Sequence, residues 1–197
     1  MRNFAQNDII IIGPIKAGKS TVGKILAEKL GFCQCSLDCR MAEYLRINGF
    51  NIATYDKIYR TNGHFEARKY MRRFYLPSII MLLQNCSENS VIDFGAGHSV
   101  YEDELSFEKI KTLLLPYQNI VLLLPSPNKD ESNFILKDRI SKSKWTNNNL
   151  KMINLELNEK FIRNKSNYLL AKFTVFNRNE TPVQTANTIL RLLKIGY

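Results

Sequence analysis

Short apolar runs alternate with longer stretches of mixed character along this chain. "DIIII" (Asp8–Ile12) carries four isoleucines in a row without polar alternation, the pattern of a strand buried on both faces. Lys19–Leu30 follows with Val22, Ile25, Leu26 and Leu30 on one face, which predicts an amphipathic helix. "CQCSLD" (Cys33–Asp38) predicts a second, weaker strand. Met41–Ile47 and His64–Leu83 predict helices, with Pro77 marking a kink or break in the latter. "SVIDF" (Ser90–Phe94) predicts a strand. Ser99-Val100-Tyr101-Glu102 fits a capping box, so a helix is expected to about Leu115. "NIVLLL" (Asn119–Leu124) predicts a strand stopped by Pro125 and Pro127, and a helix follows near Glu131–Ile140.

Beyond that point the pattern loosens. "SKSKWTNNN" (Ser141–Asn149) is polar and is expected to be mobile. Helical spacing returns over Leu155–Leu170, and "KFTVF" (Lys172–Phe176) predicts the last strand. Thr181-Pro182-Val183-Gln184 is a second capping box with proline at the first helical position, so a helix should run to Lys194, before Gly196. Five strands separated by helices imply an α/β fold with a parallel sheet covered on both faces. There is no internal repeat and no linker, so residues 1–197 are expected to form a single domain.

Composition narrows the partners. Hydrophobic residues make up 45% and charged residues 23%, an ordinary globular balance. The net charge of +10 favours anionic ligands such as nucleotides and phosphorylated or carboxylated metabolites. The basic residues are spread out rather than gathered in a block, so nucleic acid is not the first expectation. "MRNFAQND" is polar, and the isoleucine run is far too short to span a membrane; a cytoplasmic protein is expected. Cys33, Cys35 and Cys39 are closely spaced, but no Cys or His pair at finger spacing completes four zinc ligands nearby.

The chemistry starts where the first strand meets the first helix. Gly13-Pro14-Ile15-Lys16-Ala17-Gly18-Lys19-Ser20, followed by Thr21, satisfies G-x4-G-K-[ST]. Strand before and helix after are the setting that a phosphate-binding loop requires. The glycines let the backbone curl so that its N–H groups face phosphate oxygens, and the helix N-terminus adds partial positive charge. Lys19 should reach the β- and γ-phosphates, and the Ser20 hydroxyl should bind Mg²⁺. The anion is then the polyphosphate of a nucleoside triphosphate, ATP above all. Asp93, ending a predicted strand, is a candidate holder of a Mg²⁺-bound water; the competing reading is a bond to the turn at Gly95–Gly97.

Over nearly its whole length the chain resembles shikimate kinase and related small-molecule P-loop kinases. The phosphate loop is the strongest match. Ser36-Leu37-Asp38 looks like the family's D-x-D after the second strand, and "GHFEAR" (Gly63–Arg68) matches the spacing of its G-x4-R substrate segment. "GAG" (Gly95, Ala96, Gly97) stands where the family has three glycines, and "FIRNKSNYLLA" (Phe161–Ala171) resembles the helix with its later substrate arginine. The resemblance implies a three-layer α/β/α P-loop fold with a five-stranded parallel sheet and a helical lid, here around residues 128–150. It implies ATP and Mg²⁺ as cofactors, and transfer of the γ-phosphoryl group to a hydroxyl of a small, anionic metabolite.

Under that resemblance Asp38 orients or deprotonates the acceptor hydroxyl. Arg68 and Arg163 clamp its anionic group, and Gly95, Ala96 and Gly97 line its site. Each has a plainer reading: a helix cap for Asp38, a solvated helix face for the two arginines. Arg139, with Lys137, Lys142 and Lys144, is placed to close over the nucleotide, and His98 and Trp145 are further candidates near the site. The sequence departs from the family at Lys16, in place of a loop glycine; at Ser36, in place of the first Asp; and at Met71, in place of a glutamate. Ala96 interrupts the triple glycine, and the lid lacks an R-P-L-L ending. The acceptor therefore stays open, and two other readings remain: an ATP-binding regulator with a degenerate kinase site, and a nucleic-acid-directed P-loop enzyme.

Overall fold

The computed structural model describes residues 7–143 and 148–195. Lys144 and Trp145, both named above, and Gly196 lie outside the described residues. Two compact units are present, one made of the chain up to Ser36 and from Ser87 onward, the other of Leu37–Cys86.

The first unit is built on a five-stranded sheet. β1 (Ile9–Ile12), β2 (Cys33–Ser36), β3 (Ser90–Asp93), β4 (Asn119–Leu124) and β5 (Phe173–Phe176) lie in the order β2-β3-β1-β4-β5. Every pairing is parallel, with Ile11 opposite Asp93, Ser36 opposite Asp93, and Ile12 opposite Leu122. The apolar runs predicted for β1 and β4 are the central strand and one of its two neighbours, buried throughout. β2 lies at the sheet's edge and is partly exposed, which explains its weak apolar signal.

Helices cover both faces of the sheet. α1 (Lys19–Leu30) and α10 (Pro182–Leu193) pack together on one face, where Val22, Leu26, Ala186 and Ile189 meet Ile9, Ile11, Val121 and Leu123. The alternate residues Ile10, Ile12, Ile92 and Leu122 are fully buried on the other face. There α9 (Lys165–Leu170) lies against β4 and against α6 (Glu104–Leu114). The result is a three-layer α/β/α fold with an all-parallel central sheet, as expected. α7 (Lys129–Ser141) and α8 (Asn148–Arg163) pack on each other as the helical lid.

Local chemistry accounts for several boundaries. The capping box at Thr181 and Gln184 forms as expected, with Pro182 opening α10. The one expected at Ser99 does not form. The Ser99 hydroxyl instead donates to Asn167 Oδ1 at 2.6 Å, and Asp103 caps α6 by accepting from Ser106 N at 2.8 Å. A long-range buried partner has outcompeted the local one.

The second unit is helical: α2 (Leu37–Ile47), α3 (Ile52–Asn62), α4 (His64–Arg72) and α5 (Tyr75–Asn85). α2 packs on α5, and α3 on α4. Phe50 joins them through ring contacts with Tyr55, Tyr70 and Phe74 at 5.6–5.7 Å. The break expected at Pro77 falls earlier, at Arg73 and Phe74. Pro77 sits in the first turn of α5, where its missing N–H has no intrahelical acceptor to lose.

Candidate functional site

The phosphate loop links the end of β1 to α1. Gly13 has φ 142°, and a Cβ there would stand 2.5 Å from the backbone oxygen of Leu123, so the motif's first glycine lets β1 and β4 approach. Gly18, at φ 99°, begins α1 and offers no side-chain cap, which leaves the helix's first N–H groups for an anion. Lys16 takes the left-handed conformation at φ 62°, the position noted above for its missing glycine.

Four carbonyl groups of the loop are engaged by side chains. Pro14 O accepts from Lys19 Nζ at 2.9 Å, Ile15 O from Asn158 Nδ2 at 3.2 Å, Lys16 O from Arg139 Nη1 at 3.3 Å, and Ala17 O from Asn177 Nδ2 at 2.9 Å. In a trans peptide the N–H points opposite to the C=O. Drawing Ile15 O and Ala17 O toward these amides turns the Lys16 and Gly18 N–H groups the other way, while Ile15 N donates to Asn158 Oδ1 at 2.7 Å and Ala17 N to Pro14 O at 3.3 Å. Lys19 is nearly buried at 8% exposure, and burial lowers the pKa of the Arg139 guanidinium.

A carboxylate stands beside the loop. Asp93, fully buried at the end of β3, accepts from Ser20 Oγ at 2.9 Å, Ser36 Oγ at 3.1 Å and Gln34 Nε2 at 3.1 Å. Gln34 also donates to Ser20 O at 3.1 Å. Parallel register puts Ser36 next to Asp93, and Gln34, two residues earlier, shares its face. Asp93 thus meets the phosphate-loop serine, and the turn at Gly95–Gly97 bonds elsewhere: His98 N donates to Gly95 O at 2.9 Å, and His98 Nδ1 lies 3.1 Å from the same oxygen. His98 is buried within this turn. Gly95 and Gly97 are buried and Ala96 half-buried.

Arg163 lies in the last turn of α8, half exposed, with ion pairs to Asp130 and to Glu159. The hydrogen bond to Asp130 raises its pKa further. Lys137 pairs with Glu159 at 3.5 Å and Lys142 with Asp138 at 2.8 Å, both on the surface.

In the helical unit, Asp38 occupies the first turn of α2 and is exposed. Arg68 follows the buried Ala67 in α4, and its Nε is buried without a hydrogen-bond partner among the described residues. Arg68, Arg72, Tyr55 and Asp38 surround the buried Tyr75. Burial raises the pKa of the Tyr75 phenol, and the two arginines oppose that rise. Asp38 and Arg68, far apart in sequence, therefore share one electrostatic neighbourhood.

Gln34, Asn158 and Asn177 did not stand out in the sequence. Each is a single amide whose partner lies 14 to 160 positions away, with no spacing to mark it.

A parallel sheet with a glycine-rich loop of phosphate-loop pattern after its central strand, and an acid at the end of the adjacent strand, is the architecture of a P-loop fold. No protein-family profile matches the chain. In sequence it is similar to the shikimate kinase of Enterococcus faecalis (strain ATCC 700802 / V583): 28% identical over 193 residues, covering 94% of this chain and 98% of that one. In structure it is similar to shikimate kinase from Acinetobacter baumannii in complex with shikimate, with a TM-score of 0.59, 19% identity, and 95% and 93% of the two chains covered. Shikimate kinase from Bacteroides thetaiotaomicron gives 0.59, 20%, and 95% and 97%. The fold is shikimate-kinase-like. Among the described residues, no helix is long and apolar enough to cross a membrane.

Proposed function

We propose that the protein is an ATP-dependent phosphotransferase of the shikimate-kinase type, acting on a hydroxyl of a small, anionic metabolite. The observation that carries this reading is the meeting of Ser20 with Asp93 beside a phosphate loop whose Ile15 and Ala17 carbonyls are held by distant amides. The donor set suits Mg²⁺: Ser20 Oγ, Asp93 and Ser36 Oγ are hard oxygens within 3.1 Å of one another along the two hydrogen bonds, and Mg²⁺ takes few protein oxygens and keeps several waters. Ser20 would hold the ion directly and Asp93 through water. When bound, the ion neutralises charge on the β- and γ-phosphates.

The remaining work falls to the chain itself. Loop N–H groups and Lys19 hold the phosphates and stabilise charge on the transferred group. Asp38 orients the acceptor hydroxyl and takes its proton. The acceptor oxygen then bonds to the γ-phosphorus as the bond to the ADP oxygen breaks, in line. Arg68, with a buried Nε to spare, binds the acceptor's anionic group. Arg163 would join only by exchanging Asp130 for the acceptor. Arg139 and the lid around residues 128–150 close over the nucleotide and exclude water, limiting wasteful hydrolysis.

The test is ADP release measured against a panel of hydroxylated carboxylates and phosphate esters, with shikimate first because the Acinetobacter relative was solved with it. Acceptor-dependent ADP release that disappears in Lys19→Ala is the expected result. Nucleotide binding without transfer to any acceptor favours the regulatory reading. Salt-sensitive binding to RNA or DNA favours the nucleic-acid one.

A further inference from the structure

One side chain of α8, Asn158, hydrogen-bonds the phosphate loop at two points. Asn158 is fully buried, and both ends of its amide are used on a single residue: Oδ1 accepts from Ile15 N at 2.7 Å, and Nδ2 donates to Ile15 O at 3.2 Å. The amide's orientation is settled by these partners, since an N–H needs an oxygen and a C=O needs an N–H.

The two bonds lie on successive peptide planes. The first fixes the Pro14–Ile15 plane with its N–H toward α8, so Pro14 O points the opposite way, where it accepts from Lys19 Nζ at 2.9 Å. The second fixes the Ile15–Lys16 plane with its C=O toward α8, so the Lys16 N–H points away from α8. Lys16 itself holds the disfavoured left-handed conformation, and a loop under such strain needs restraint on both sides. Arg139 and Asn177 supply it further along the loop, at Lys16 O and Ala17 O. Asn158 supplies it just before Lys16, at Ile15 N and Ile15 O. Its helix is anchored there by a cluster in which Ile15 and Ala96 pack against Val100, Leu157 and Phe161.

We infer that Asn158 is a positioning residue for the phosphate loop, and that α8 sets phosphate affinity through it. This rests on the nucleotide-binding reading above. Asn158 touches no phosphate; it acts by aiming the Lys16 N–H and by placing the carbonyl that orients Lys19. A merely structural asparagine, satisfied in the core, would affect folding alone.

The experiment compares three probes on the full chain: ADP with Mg²⁺, inorganic pyrophosphate with Mg²⁺, and adenosine, titrated by calorimetry or ligand-observed NMR. In Asn158→Leu, of similar size but unable to make either bond, the Kd for ADP and for pyrophosphate should rise about ten-fold or more, and that for adenosine by less than about two-fold. If Asn158→Leu does not fold, Asn158→Ser, small and uncharged, is measured in the same way with the same expected split. Equal weakening of ADP and adenosine, or ADP affinity within about two-fold of wild type in a folded variant, overturns the inference. Wild-type protein that binds neither ADP nor pyrophosphate overturns the nucleotide-binding reading, and the inference with it.

Discussion

Gly13 and Gly31 both take positive φ, yet alanine should be tolerated at one and not at the other. At Gly31, which closes α1 with φ 65°, an added Cβ meets nothing within 4 Å. Only the left-handed conformation is then disfavoured, at a cost of about 1 kcal/mol. At Gly13 the Cβ would lie 2.5 Å from Leu123 O and 3.4 Å from Leu123 C and N. These are backbone atoms of an interior strand, flanked by pairings of Leu122 with Ile12 and of Leu123 with Val175, so they cannot swing aside. Backbone strain of about 1–2 kcal/mol adds to overpacking of about 1–3 kcal/mol, or roughly 3 kcal/mol together. With a urea slope of about 2 kcal/mol/M, the unfolding midpoint should fall by about 1.5 M for Gly13→Ala and about 0.5 M for Gly31→Ala. Relief of the clash by moving the loop should also weaken ADP binding by about ten-fold or more in Gly13→Ala, and leave Gly31→Ala unchanged. Equal midpoint shifts in the two variants would refute the close-approach reasoning.

Three further outcomes follow from the site. Asp93→Asn should raise the Mg²⁺ concentration for half-maximal turnover about ten-fold, and Ser36→Ala by no more than about two-fold, because Asp93 carries a negative charge and Ser36 does not; the reverse order in a Mg²⁺ titration would make Ser36 the more important ligand. Arg68→Ala should raise the acceptor KM about ten- to a hundred-fold and leave ATP affinity unchanged, since a charge-assisted bond is worth roughly 1.5–3 kcal/mol; equal weakening of both would return Arg68 to a structural role. Asp103→Ala should cost about 1 kcal/mol in urea unfolding at pH 7 through loss of the α6 cap. The Ser106 N–H holds the Asp103 carboxyl below its usual pKa, so this stabilisation is present above the ordinary carboxylate value and is lost as pH falls through the lowered one. A wild-type-to-variant difference that persists unchanged at pH 2 would contradict it.

Much of the fold can be read from adjacent residues. The bounds of α1 and β4 match their apolar patterns residue for residue, and the phosphate loop follows because its glycines, lysine and serine lie within eight consecutive positions. Thr181, Pro182 and Gln184 open α10 for the same reason: capping is chemistry between residues three apart. α3 escaped notice because it buries no residue fully, and so carries no clear apolar stripe.

Other features exist only once the chain is folded. Strand order puts β1 between β3 and β4, and register sets Asp93 beside Ile11 and Ser36, within reach of Ser20. Ser99 has a good local capping pattern and yet pairs with Asn167, because a buried hydroxyl must be satisfied where it lies. Asn158 and Asn177 hold the phosphate loop from 143 and 160 residues away. The sequence by itself determined most of the elements and the phosphate loop, since propensity, capping and backbone freedom act over a few residues. The tertiary structure alone decided which distant amides, hydroxyls and carboxylates surround that loop, because such bonds depend on packing and register and leave no periodic trace along the chain.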